Sequence, residues 1–186
     1  MNESEWAGFY VSVDVETAGP NPSQYSLLTI GACTLSERPS TYYVEVKPVN
    51  DRITPEAYAI HHLDLKRLAE RGISPHEAMT SFETWLKAEA PEGKKPVFVA
   101  FNAPFDWMFV CDYFHRYLGR NPFGHNALDI KAFYAGLTGA AWPETTLSSI
   151  RQRYLGEREI THHALRDALD QAEIFLKMLE RKVDEE

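Results

Sequence analysis

Asp14 and Glu16 stand two residues apart in YVSVDVETAG, a stretch whose apolar and polar residues otherwise alternate as in a half-buried strand. Residues two apart on a strand point the same way, so Tyr10, Ser12, Asp14 and Glu16 share one face and Phe9, Val11, Val13 and Val15 the other. Neighbouring carboxylates repel unless a cation lies between them, and hard oxygen donors suit Mg²⁺ or Mn²⁺. A D-x-E pair alone is common, and a solvated strand end is the plainer reading of this one. Further acids shift that balance. Asp106 follows the apolar run VFVAFNAPF and falls in the first turn of a helix just beyond a buried strand, where α/β sheets collect their binding sites. Asp167 lies near the start of the last helix, in HHALRDALDQAEIF, with His162 five residues before it. Histidine is the side chain that ordinarily titrates near neutral pH, which suits it to proton transfer.

These residues need a frame to hold them. Phe9 to Glu16, Leu27 to Leu35 and Thr41 to Pro48 are rich in β-branched and aromatic residues and are separated by AGPNPSQ and SERPS, so a meander of three strands is expected. TPEAYAIHHL, DLKRLAERG and SPHEAMTSFETWLKAEA then read as helices, the last with Ser74 as N-cap, Pro75 at N1 and Glu77 at N3. KPVFVAF is a short continuous apolar strand, and APFDWMFVCDYFHRYLG an amphipathic helix. A short strand at Asn126 to Ile130 and helices at Lys131 to Leu137, Thr145 to Tyr154 and His163 to about Arg181 complete the chain. Strands first in a meander and then alternating with helices predict an α/β fold with a mixed sheet.

The chain has 186 residues, 44% apolar and 25% charged, enough for one packed domain with a short charged C-terminal tail after about residue 176. Cys33 and Cys111 lie far apart without metal-ligand spacing, and buried thiols are expected. The opening MNESEWAGFY lacks the basic and apolar regions of a signal peptide, and no long apolar run suggests a membrane span, so a soluble cytoplasmic protein is expected. The net charge of −8, from 19 basic and 27 acidic residues, argues against a long electrostatic track along a duplex.

In order and spacing, VDVET with LLTIGA, then FVAFNAPFDWMF, then HHALRDA resemble the three motifs of the DEDDh exonucleases, the group that includes proofreading subunits and oligoribonucleases. The resemblance runs from about Phe9 to Leu176. It implies a ribonuclease H-like fold, a mixed five-stranded sheet flanked by helices. It also implies that Asp14, Glu16, Asp106 and Asp167 are metal-binding carboxylates, that His162 is the general base, and that the enzyme is a 3′-5′ exonuclease. Two divalent cations, Mg²⁺ or Mn²⁺ ~3.5–4 Å apart, would then serve the hydrolysis and supply positive potential at the phosphate. The implied substrate is a single-stranded DNA or RNA 3′ end, cut back to nucleoside monophosphates. A homodimer or polymerase partner is compatible, and no motif reports the choice between DNA and RNA.

Candidate substrate contacts are the Thr17 backbone, Leu27 or Leu28 as a wedge, Phe101 and Phe105 for stacking, Asn102, and Arg166 for phosphate. Phe101 stands where many members of the group carry His, and His61 matches a substrate-side position because His62 occupies that of a frequent glycine. Two other function classes are open. The pairs His61–His62 and His162–His163 suggest a zinc hydrolase, although no H-E-x-x-H or cysteine cluster accompanies them. A non-catalytic nucleic-acid-binding or polymerase-associated domain would keep the fold and lose the acids.

Overall fold

Alternation in the first strand, β1 (Phe9–Thr17), buries Val11 and Val13 completely on one face and aims Asp14 and Glu16 from the other. The computed structural model describes residues 8–158 and 161–184; the opening residues 1–7, read above for a signal peptide, lie outside that range. β2 (Leu27–Thr34) and β3 (Thr41–Glu45) follow in the expected antiparallel meander. α1 (Pro55–His61), α2 (Leu65–Arg71) and α3 (Pro75–Glu89) come next, the last closed by the expected capping box between Ser74 and Glu77. β4 (Pro96–Ala100) and β5 (Ala127–Asp129) pair in parallel, completing one five-stranded mixed sheet of order β3-β2-β1-β4-β5. Between and after them lie α4 (Pro104–Leu118), α5 (Ile130–Thr138), α6 (Leu147–Leu155) and α7 (Ala164–Asp184). The charged tail expected after residue 176 is thus helical as far as Asp184. No helix among the described residues is long and apolar enough to cross a membrane.

The sheet is covered on both faces. Val11, Val13 and Phe98 pack with Phe82, Phe109 and Phe114 of α3 and α4. Val99, with Tyr10 and Leu128 at its edge, packs with Ile130, Ile150 and Phe175 of α5 to α7. Each fully buried large side chain contributes roughly 1.5–3 kcal/mol, so both layers are firmly held to the sheet. Asp14 and Glu16 therefore project toward the α7 side.

One glycine sets how close α7 comes. Gly31 of β2 lies opposite Asp14 in the register, and a Cβ there would stand 2.1 Å from the backbone of Ala164 and Leu165. The first turn of α7 thus lies directly on β2, one turn before Asp167. Ser12 Oγ donates to the Ala168 carbonyl at 2.8 Å and fixes the same contact from β1. Gly31→Ala is expected to lift this helix start, lowering stability by about 1–3 kcal/mol in urea unfolding and drawing Asp167 away from Asp14. A variant as stable as the parent would show that α7 does not need this approach.

Candidate active site

Each acid reaches the site from a different part of the fold. Asp14 and Glu16 come from the end of β1, Asp106 from the first turn of α4, and Asp167 from the first turn of α7. Together they line a cavity of about 200 Å³, with His162, Arg151, Gln171, Phe101 and Asn102 in its wall. Carboxylate oxygens of Asp14, Glu16 and Asp167 lie within 4.8 Å of one another. Asp106 stands slightly apart: one of its oxygens accepts the Val15 N–H at 3.0 Å, which ties α4 to β1 at the cavity floor.

Burial and crowding leave this cluster short of positive charge. Burial pushes the Glu16 carboxyl up to about 8, with Asp167 and Asp106 adding to the effect. Asp106 rises to about 7, again chiefly through burial and against the pull of its backbone hydrogen bonds. Burial and the neighbouring acids hold Asp14 well above the usual carboxylate range, and burial also raises Asp167. One oxygen of Asp167 is buried without a hydrogen-bond partner. That oxygen faces the Arg151 guanidinium at 3.8 Å, one cation against four crowded acids, and oxygen donors left with this excess of negative charge fit a hard divalent cation such as Mg²⁺ or Mn²⁺.

Backbone geometry places the histidine. His162 sits just outside α7 with φ of 48°, a left-handed conformation that breaks the chain direction and leaves its ring exposed in the cavity wall. Its twin His163 turns the other way and stacks on Tyr43 with ring centroids 4.8 Å apart, while its backbone N–H donates to Asp167 Oδ2.

A second cavity of about 430 Å³ adjoins the first and shares Val15, Glu16 and Phe105 with it. Thr17, Ile60 and His61 line its far side. The His61 ring is locked: Nδ1 accepts the Leu63 N–H, so Nε2 carries the proton and donates to the Thr17 carbonyl at 3.1 Å.

The exonuclease family model, of ribonuclease T type, matches residues 11–175. The chain belongs to that family. It is 45% identical to the 3′-5′ DNA exonuclease Cap18 of Escherichia coli over 166 residues, 89% of each chain. Ribonuclease T of Yersinia pestis is 31% identical, over 94% of this chain and 86% of that one. Among solved structures, the nuclease domain of 3′hExo, a DEDDh family member bound to rAMP, superposes with a TM-score of 0.76 at 17% identity, over 93% of this chain and 92% of that one. The fold is therefore the ribonuclease H-like one that the motifs implied.

In this exonuclease-family chain the expected substrate contacts divide. Thr17, His61, Phe101, Asn102 and Phe105 all line one of the two cavities. Leu27 and Leu28 do not. Both are fully buried, Leu27 in the core beneath α3 and α4 and Leu28 against Leu68, so neither offers a face to a base. β2 runs through the middle of the sheet here, and a middle strand covered on both sides has no free edge or face. Arg166 lies on α7 and lines neither cavity.

The zinc reading loses its ligands. Both ring nitrogens of His61 are engaged and His163 is stacked away, so neither histidine pair converges on a point. Among the described residues, the group with metal-ligand spacing consists of carboxylates alone.

Sequence reasoning missed two residues. Gln171 donates from Nε2 to Asp14 Oδ1 at 2.6 Å and accepts the Phe101 N–H at 2.9 Å, tying β1, β4 and α7 together behind the acids. Arg151 of α6, only 4% exposed, pairs with Asp170 at 2.8 Å and stands 3.8 Å from Asp167 Oδ1. It is a fixed cation beside the cluster, and Asp170, Arg158 and Glu173 extend the network outward. Helical spacing carried a signal for Gln171, one turn beyond Asp167, whereas no motif residue lies a turn from Arg151.

Proposed function

We propose that the protein is a cytoplasmic 3′-5′ exonuclease that removes nucleoside monophosphates from the 3′ end of short or single-stranded nucleic acid. The observation that supports it is the meeting, in one cavity, of three carboxylates from opposite ends of the chain, with Asp106 and His162 in the wall. Asp14, Glu16, Asp106 and Asp167 would hold two divalent cations, Mg²⁺ or Mn²⁺. Such ions, when bound, supply positive charge at the scissile phosphate and lower the pKa of a bound water.

The protein's own groups supply the rest. The second cavity takes the terminal nucleoside: Ile60 and Phe105 offer apolar contact to a base, and the locked His61 ring gives the pocket a fixed wall. Glu16 and Phe105 belong to both cavities, so the phosphate joining the last two nucleotides falls at their junction. The His162 ring, in the cavity wall, takes the proton from the attacking water. Water oxygen bonds to phosphorus, the bond from phosphorus to the 3′ oxygen of the preceding nucleotide breaks, and the terminal nucleotide leaves as its 5′-monophosphate. Gln171 keeps Asp14 aimed at the cavity throughout. Identity of 45% to a DNA exonuclease makes DNA the first substrate to test, with RNA second on the ribonuclease T relatives.

The test uses 5′-labelled DNA and RNA strands with free or blocked 3′ ends, in Mg²⁺, Mn²⁺ or EDTA. A ladder shortened from the free 3′ end, dependent on the cation, is expected. Persistence of free-ended strands, or equal cutting of blocked ones, would overturn the proposal.

A further inference from the structure

We propose that Trp142 and Lys131 form a second stacking platform, which holds a base of the single strand upstream of the bond being cut. The inference rests on the exonuclease reading and extends it away from the reacting atoms.

Trp142 opens a 3-10 turn (Trp142–Glu144) between α5 and α6 and is 56% exposed, more than any other large apolar side chain among the described residues. A lone exposed apolar side chain is ordinary. This one is held in a particular way. The Lys131 ammonium lies 4.2 Å from the centre of the indole ring and covers one face, so the ring is fixed while most of it stays in water. Among the described residues Lys131 forms no salt bridge, although acids are plentiful in the chain. The acids nearest in sequence are engaged: Asp129 caps α5 through the Lys131 N–H, and Glu144 accepts the Ala141 N–H. Lys131 thus keeps its charge for an outside anion, beside an aromatic face. That pairing of cation and ring is how sequence-independent single-strand binding is built.

Placement follows from the contacts. Asp129 Oδ1 accepts both the Lys131 N–H and the Ala103 N–H, and Ala103 adjoins Asn102 in the catalytic cavity wall. On its other side Trp142 precedes Leu147, which lines the same cavity, through Thr145, whose hydroxyl donates back to the Trp142 carbonyl. The platform is thus tied by short backbone links to Asn102 and Leu147 of the cavity wall. The pocket for the terminal nucleoside is walled by α1 and includes neither Asn102 nor Leu147. A strand whose last nucleoside fills that pocket and whose scissile phosphate sits at the acids leaves past Asn102 and Leu147, onto Trp142. The chain is otherwise acidic, so one aromatic step with a cation beside it grips a strand where a long basic track is lacking.

The test compares kcat/KM for a single-stranded decamer and a dinucleotide of the same base, in saturating Mg²⁺. Stacking on an aromatic ring contributes roughly 1–3 kcal/mol per base, so Trp142→Ala is expected to lower the decamer-to-dinucleotide ratio about 5-fold or more. Trp142→Phe keeps most of the ratio, and Lys131→Gln weakens the salt dependence of decamer binding. A Trp142→Ala ratio within twofold of the parent's would overturn the platform. A parent protein that shortens neither strand would instead overturn the exonuclease reading, and the platform with it.

Discussion

Asp14→Asn is expected to lower the rate of 3′-end hydrolysis by about 10³-fold or more, roughly 4 kcal/mol of transition-state stabilisation, and to make the metal-free protein more stable. The two effects share one cause. Asp14 is held by Gln171 and crowded by Asp106, Glu16 and Asp167, and burial disfavours its charged form. Asparagine keeps the shape and still offers an oxygen to the Gln171 amide, so the fold loses no hydrogen bond. It removes the anion, and with it the cation ligand proposed for this position. Alanine would be a poorer probe because it strands the buried Gln171 amide. Rate under Mg²⁺ and melting temperature in EDTA are the two readings. A rate within tenfold of the parent's would refute the assignment of Asp14, and a lower melting temperature in EDTA would refute the account of the cluster as strained without its ions.

Much of this is legible in the chain because it is local. Alternation in FYVSVDVE sets the direction of Asp14 and Glu16, and Ser74 with Glu77 marks the start of α3 to the residue. The motif spacing names all the acids and passes over Asp170, which holds Arg151 and Arg158 instead. Legibility fails where a contact spans the chain. Gln171 meets Asp14 across 157 positions, and helical periodicity says which side of α7 it occupies without saying what waits there. Leu27 and Leu28 fail for the opposite reason. Their place just after the first motif suggests nearness to substrate, but a strand with neighbours on both edges and helices on both faces buries nearly every residue it has. Gly31 carries no chemistry at all, yet its missing Cβ decides how near Asp167 comes to Asp14.

Stability of the metal-free protein is expected to fall as pH rises from about 6.5 to about 8. In the unfolded chain carboxyls titrate near pH 4 to 4.5, whereas folding raises Asp106 to about 7 and Glu16 to about 8, both chiefly by burial. Between those limits the folded state binds more protons than the unfolded one, and stability then declines with pH. Their contribution is fully present below about pH 4 and is lost as pH climbs through the folded values. Each tenfold change in acidity between the two states corresponds to about 1.4 kcal/mol, and with solvent screening at the cavity mouth Glu16 alone accounts for a loss on the order of 2–4 kcal/mol over the whole span from about pH 4.5 to about 8, of which about 1–2 kcal/mol falls above pH 6.5. Asp14 and Asp167, also raised chiefly by burial, act in the same direction. Glu83, lowered to about 2 by its hydrogen bonds to Arg120, is ionised in both states throughout the window. His61, lowered by burial, favours the folded state as pH rises only up to about 6.5, so it blunts the decline below that point and not above it. Bound cations reverse the slope, because they require the carboxylates deprotonated. Melting curves across this range in EDTA should therefore shift downward with pH, those in excess Mn²⁺ should not, and Glu16→Gln should make the EDTA series shallower. An EDTA series that rises from pH 6.5 to 8 would mean that the acids are already neutralised by the protein itself, and that the cavity has no need of ions.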